Sequence, residues 1–259
     1  MIDTHSHIYC EEFDTDRAEV IAHAREAGVE AFLLPAIDSE SHERLLAVAS
    51  EQADHYPMMG LHPTSVADAE NNAREMAIVE RLLASPDHHF VAVGEVGIDL
   101  YWSTEHRAEQ MDIFARQVEL SLRHDLPLAI HVRNAWDEVL EVLDGYRSRG
   151  VRGVFHAFAA EPEVYSKARE MGDMLFGIGG VVTYKKSILP ESVAQMGLEE
   201  MVLETDAPYL PPVPYRGKRN ESSYLQYTCA KVAEIKGATA EEVARQTTAN
   251  ARRMFKIIN

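Results

Sequence analysis

Short runs of apolar residues alternate along the chain with longer stretches in which apolar residues return every three or four positions. The short runs predict strands over 2–8, 31–37, 56–62, 91–99, 127–133, 153–158, 174–182 and 201–208. The longer stretches predict helices over 16–27, 40–54, 68–84, 105–123, 134–149 and 161–171, because that period keeps one helical face apolar. Breakers stand between the two kinds of element: Gly28 after the first helix, Asp125 and Pro127 after the fourth, Gly150 and Gly153 after the fifth. The repeating unit is a strand followed by a helix.

Uninterrupted apolar strands such as Phe32-Leu33-Leu34 and Leu128-Ala129-Ile130 suit a parallel sheet covered on both faces. Eight such units in 259 residues match an α/β fold of the (β/α)8 TIM-barrel type, whereas a doubly wound sheet usually stops at about five or six strands. No composition shift or Pro/Gly-rich linker divides the chain, so a single domain over 1–259 is expected. The one irregular region is a long polar loop over 208–224, before the last helices.

Composition narrows the class without naming a function. Apolar residues make up 46% and charged residues 26%, which is globular usage. Only Cys10 and Cys229 occur, so no disulfide framework is available, and a reducing compartment such as the cytoplasm is the expectation. No basic, apolar leader opens the chain, and no run approaches the roughly 18 apolar residues of a membrane span. The net charge of −17 argues against a protein that grips nucleic acid through a broad basic face, but leaves metal-bridged phosphate contacts open.

In a parallel barrel the reactive face lies at the C-terminal ends of the strands, so polar residues there carry the information. The first strand ends in Asp3-Thr4-His5-Ser6-His7, where alternation sends Asp3, His5 and His7 to one side. The fourth ends in Gly94-Glu95-Val96-Gly97-Ile98-Asp99, the fifth in His131-Val132-Arg133, the sixth in His156-Ala157-Phe158, and the eighth in Glu204-Thr205-Asp206. Singly, each has a plain structural reading: His156 as a satisfied core histidine, Glu95 as half of an ion pair with Arg133, Asp206 as a turn residue before Pro208. Jointly, four imidazoles and two carboxylates at one mouth form the donor mixture for divalent transition metals. Six ligands exceed what one catalytic ion uses, so a two-metal site is expected. His5 and His7 would hold one ion and His131 and His156 the other, with Glu95 bridging and Asp206 facing the first ion.

These residues fall in motifs that resemble the TatD family of metal-dependent deoxyribonucleases. Asp-x-His-x-His at 3–7, Gly-Leu-His-Pro at 60–63, Gly-Glu-Val-Gly-Ile-Asp at 94–99, Ile-His-x-Arg at 130–133, His-x-Phe at 156–158 and Glu-Thr-Asp-Ala-Pro at 204–208 occur in order over nearly the whole chain. Arg216-Gly-Lys-Arg-Asn220-Glu221 and the closing Asn250-x-x-x-Met254-Phe255 are similar to the family's later signatures. The resemblance implies a TIM-type barrel, two divalent ions, hydrolysis of DNA phosphodiesters, and the ligands His5, His7, Glu95, His131, His156 and Asp206. One departure is visible: after Phe155-His156 the chain reads Ala157-Phe158-Ala159-Ala160, where the family often has Cys-Phe followed by Ser-Gly, which bears on the substrate-facing loop.

Further roles follow as expectations. A water shared by two cations ionises readily and would attack the phosphorus, with Asp206 as its base and Glu95 holding the ions. His62 is assigned to substrate or leaving-group contact, with a turn histidine before Pro63 as its structural reading. Arg216, Lys218 and Arg219 would grip phosphate from the loop after the eighth strand, and Tyr184 could stack a base. Arg133 is read as neutralising Asp99 or Glu95 in preference to binding phosphate. The expected partner is DNA, as single strands or ends, and the ions are zinc, manganese, nickel or magnesium. Two rivals stand beside this: the same centre acting on a non-phosphate ester or amide such as an aminoacyl-RNA linkage, and a non-catalytic metal-binding scaffold.

Overall fold

A computed structural model describes residues 1–257. In chain order the regular elements are β1 (Ile2–Asp3), α1 (Arg17–Glu26), β2 (Ala31–Leu34), α2 (His42–Glu51), β3 (His55–Pro57), α3 (Ala69–Leu83), β4 (Val93–Asp99), α4 (Arg107–His124), β5 (Leu128–Arg133), α5 (Trp136–Asp144), β6 (Arg152–Phe155), α6 (Pro162–Ala168), β7 (Asp173–Ile178), α7 (Leu189–Gln195), β8 (Met201–Leu203), α8 (Leu225–Lys236) and α9 (Ala240–Phe255). The alternation read from the sequence is therefore present at every strand. No helix among the described residues is long and apolar enough to cross a membrane.

All strands pair in parallel, in two ladders ordered β1-β2-β3 and β4-β5-β6-β7-β8. Isolated backbone hydrogen bonds close the ring. Between β3 and β4 they run from Val91 N to Pro57 O (3.0 Å), from Met59 N to Ala92 O (3.2 Å) and from Gly94 N to Met59 O (3.1 Å). Between β8 and β1 they run from Thr4 N to Leu203 O (3.1 Å), from Asp206 N to His5 O (2.9 Å) and from His7 N to Ala207 O (2.8 Å). The result is the TIM-type barrel expected from the pattern.

Period-two alternation divides each strand between two cores. Ala31, Leu33, Ala129, Val154, Leu175 and Val202 belong to one apolar cluster, and Met254 and Phe255 join it from α9, with Ile257 two residues beyond that helix. Phe32, Leu34, Leu128, Ile130, Phe155, Phe176, Met201 and Leu203 belong to the other cluster, which also takes in the apolar faces of the helices. Asn250 pins α9 in place, its amide donating to Leu198 O (2.8 Å) and Met201 O (2.7 Å). That accounts structurally for the closing signature of the sequence.

Several predicted strands are cut short. The run over 2–8 keeps a ladder only at Ile2–Asp3, and the run over 201–208 only at Met201–Leu203. Beyond those points the backbone turns to aim side chains, with φ reaching 44° at Ala157 and 58° at Asp206. The predicted helix over 134–149 likewise resolves into α5 and a short 3-10 turn at Arg147–Arg149.

β4 carries the most constrained segment. Its register with β5 shifts between Gly94 and Val96, so Glu95 is the extra residue of a bulge and has no partner across the ladder. Gly97 follows at φ 137°, where a Cβ would lie 2.0 Å from His131 O. Replacing Gly97 with Ala is therefore expected to lower unfolding stability by about 2–4 kcal/mol. A denaturant titration checks this, and an unchanged midpoint would mean that β4 and β5 separate freely.

Candidate metal centre

The structure brings His5, His7, Glu95, His131, His156 and Asp206 together at the C-terminal mouth of the barrel, beneath a cavity of about 880 Å³. Glu95 lies at the centre, 3% exposed. Its two oxygens face different neighbours. Oε2 lies 3.1 Å from His5 Nε2 and 3.6 Å from His7 Nε2, whereas Oε1 lies 2.8 Å from His131 Nδ1, 3.3 Å from His62 Nε2 and 3.6 Å from His156 Nε2. Asp206 Oδ1 approaches the first side, 3.5 Å from His7 Nε2 and 3.9 Å from His5 Nε2. It is also 3.8 Å from His156 Nε2.

The surrounding hydrogen bonds set which nitrogen of each imidazole faces the centre. Tyr9 donates its hydroxyl to Pro35 O (2.7 Å), so its oxygen accepts from His7 Nδ1 (3.0 Å). That places the His7 proton on Nδ1 and leaves the Nε2 lone pair facing Glu95 and Asp206. Asp99 Oδ2 lies 3.0 Å from His131 Nε2, leaving Nδ1 toward Glu95. Glu204 Oε1 is 3.0 Å from His156 Nδ1, too far out of line for a hydrogen bond, so the contact is electrostatic. Gly177 makes room for that buried carboxylate, since a Cβ there would lie 2.1 Å from Glu204 Oε2.

His62 differs from the rest. It caps the turn at Pro63–Ser65, where Thr64 N donates to its Nδ1 (3.2 Å). Nδ1 is therefore the acceptor and Nε2 carries the proton that points at Glu95. The turn role and a role in the site, alternatives on sequence alone, coexist in one side chain. By distance His62 could join Glu95 and His131 around an ion. Its tautomer makes it a donor instead.

Charge is balanced by imidazoles. Burial pushes the Glu95 carboxyl up, but His62, His5 and His156 outweigh it and hold the group well below its ordinary value. Asp206 is also lowered, as burial yields to His156, His7 and His5. In return His156, despite its burial, is raised to about 10 by Glu204, Glu95 and Asp206. His131 is raised too, as its hydrogen bonds to Asp99 and Glu95 outweigh burial. His5 and His62 are lowered, chiefly by burial.

This set fits divalent metal. Imidazole nitrogens and carboxylate oxygens lie within 4.8 Å of one another in three groups, His5, His7 and Asp206, then His5, His156 and Glu204, then His62, Glu95 and His131, the last with His62 turned as a donor. The partners Tyr9 and Asp99 hold outward nitrogens as metal-bound histidines require.

The remaining expectations meet a different geometry. Arg219 is not at the mouth: its guanidinium pairs with Asp16 at 2.6 and 2.9 Å and stacks over Phe13. Arg216 lies over the Tyr184 ring at 4.3 Å, and Lys218 beside Tyr215, and none of the three lines the cavity. Tyr184 is thus covered by Arg216 and donates its hydroxyl to Pro211 O, so its ring face is taken. Arg133 makes no ion pair with Asp99 or Glu95, because His131 already stands between those carboxylates, but against burial its charge joins that of His131 in lowering the Asp99 carboxyl. Asp3 does not face the centre beside His5 and His7. It accepts from Thr205 N (2.9 Å) and Thr205 Oγ1 (2.6 Å), since the β1 ladder ends there and the alternation stops. Tyr9 and Thr64 went unread, although Tyr9 lies at the next alternate position after His7.

A family model described as TatD related DNase matches residues 2–256. The chain belongs to the TatD family. Its relatives include an uncharacterized metal-dependent hydrolase, YabD, from Bacillus subtilis, 35% identical over 99% of both chains. Another, TatD from Mycobacterium tuberculosis, is 38% identical over 98% of this chain and 97% of its own. Among solved structures, the TatD homologue YjjV of Escherichia coli superimposes with a TM-score of 0.90, at 27% identity, over 100% of this chain and 98% of its own. With this donor set in place, the TatD-family chain is a metal-dependent hydrolase.

The proton balance yields a prediction. With its pKa near 10, His156 is protonated at neutral pH in the metal-free protein, so an entering ion must displace a proton. Metal affinity is expected to rise as pH rises from 6 to 8, with proton release visible by calorimetry in buffers of different ionisation enthalpy. Uptake without proton release would contradict this charge assignment. The sign for folding is opposite. The raised His156 pKa stabilises the metal-free fold fully below its ordinary 6.5, and that contribution is lost as pH climbs through about 10.

Proposed function

We propose that this TatD-family protein is a two-metal phosphodiesterase that cleaves DNA, acting on single strands or ends. The observation that carries this reading is the division of Glu95, one oxygen toward His5 and His7 and the other toward His131 and His156. A carboxylate so placed suits a bridge between two ions, with His5, His7 and Asp206 completing one side and His131 and His156 the other. Divalent ions held there supply Lewis acidity and lower the pKa of water.

The chain's own groups account for the rest of the chemistry. Asp206 is the least buried of the carboxylates at the centre and keeps its carboxyl ionised at neutral pH, so it orients the attacking water and accepts its proton. His62 presents Nε2–H, a donor suited to a phosphoryl oxygen or to the leaving oxygen. Glu95 and the ligand histidines are fixed by Tyr9, Asp99 and Glu204, so little reorganisation accompanies the reaction.

A second reading is favoured by one observation. The basic residues of the loop after β8 are turned away from the cavity, and the chain is strongly acidic, which suits a substrate with less charge than DNA. A non-phosphate ester or amide, such as an aminoacyl-RNA linkage, would then be attacked by the same centre.

Turnover after chelation and defined metal return, on single-stranded DNA and on a panel of esters and amides, separates the two. DNA cleavage that requires metal and is abolished in Glu95→Ala is the expected result, and cleavage of the ester panel alone would overturn the substrate. Asp206→Asn is expected to lower kcat by about 100-fold or more while the protein still takes up metal. Near-normal turnover in that variant would remove Asp206 as the base.

A further inference from the structure

One edge of the cavity carries a group that the metal centre does not use. Arg133 follows His131 by two residues on β5, so it stands about 6.6 Å further out along the same face. Among the described residues that line the cavity it is the one arginine or lysine. The other lining charges include the carboxylates Glu95, Asp99, Asp206 and Glu161. Most arginines elsewhere are bound to carboxylates, such as Arg107 to Glu138 and Arg149 to Glu119. The Arg133 guanidinium instead lies 3.7 Å from the centroid of the Tyr101 ring and 5.2 Å from that of Trp102, with its N–H groups unspent on any described partner.

The two rings meet edge to face, 4.9 Å apart at 85°. Trp102 is 72% exposed and Tyr101 51%, yet Trp102 lines the cavity. Two large aromatics left in water beside an active site are more than surface noise, because their burial would be favourable if anything flat arrived. Stacking on Tyr101 holds the guanidinium plane without consuming its hydrogen-bonding edge, which suits bidentate contact with a phosphate.

We propose that Tyr101, Trp102 and Arg133 form a nucleotide clamp at the mouth, Trp102 stacking one base of a single DNA strand and Arg133 taking the adjoining phosphate. This rests on the phosphodiesterase reading and deepens it. The clamp selects strands with unpaired bases, since a base held in a duplex offers no free face to Trp102. It also places the one arginine or lysine among the described lining residues where a strand enters.

Binding, read apart from cleavage, tests it. The metal-loaded protein is titrated with a short phosphorothioate oligothymidylate, hydrolysed slowly but fully charged, and with its abasic counterpart. Wild type is expected to prefer the base-bearing strand, and Trp102→Ala to lose about 5- to 100-fold in affinity for that strand while Trp102→Phe retains most of it. Arg133→Ala is expected to weaken both strands and to reduce the slope of log affinity against log salt by about 0.7. Equal affinity for the two strands in wild type, or unchanged base preference in Trp102→Ala, overturns the clamp. Metal-dependent cleavage of ordinary DNA is scored separately. Cleavage without base preference removes the clamp and keeps the phosphodiesterase, whereas base-dependent binding without cleavage of any strand keeps the clamp and removes the proposed reaction.

Discussion

An ionised carboxylate taken out of water costs several kcal/mol unless nearby charges and donors replace the solvent, and Glu95 occupies that position at the centre of the barrel mouth. Much of the local architecture answers to it. The bulge in β4 turns it inward, Gly97 lets β5 approach, and the C-terminal ends of five strands deliver imidazoles or a second carboxylate around it. The neutralising groups are histidines and not arginines. A guanidinium would be a permanent occupant, whereas an imidazole surrenders its proton when a metal ion arrives. The same residues are therefore suited both to stabilise the buried charge without metal and to ligate an ion that enters.

The strands were legible because short uninterrupted apolar runs and longer stretches of period 3.6 do not mix within one element. Their ends were not. The run at 2–8 reads as one strand, but the ladder stops at Asp3 because the following residues leave the sheet to build the mouth. The donor residues stood out for an elementary reason: Glu95 and His131 are polar groups inserted in apolar strands, His5 and His156 stand just past strand ends, and such groups need partners. What surrounds them was hidden. Asp16 and Arg219 are 203 residues apart and meet only after the barrel closes, so no local signal marks Arg219 as one half of an ion pair. Thr64 reaches His62 Nδ1 with its hydroxyl (2.6 Å) as well as its backbone N–H (3.2 Å), a contact made only once the turn at Pro63–Ser65 forms.

The loop after β8 shows how a signature can be structural. Asn220 donates to Thr205 O (2.8 Å) and Tyr209 O (2.6 Å), and Arg219 ties the same segment to Asp16 ahead of α1. Arg219, which looks like part of a phosphate grip in sequence, thus joins Asn220 in bracing the turn that carries Asp206. Their influence on the site is exerted through its shape.

The inner apolar cluster has a consequence for how such a chain comes to life. Its strand residues surround a space that Met254, Phe255 and Ile257 enter from beyond all eight strands, so the interior is sealed only once α9 has been made. Asp206 and the β8 bonds to β1 also come late in the chain. A chain made only through β6 and the turn after it therefore holds the candidate ligands His5, His7, His131 and His156 but not the closed barrel that orders them.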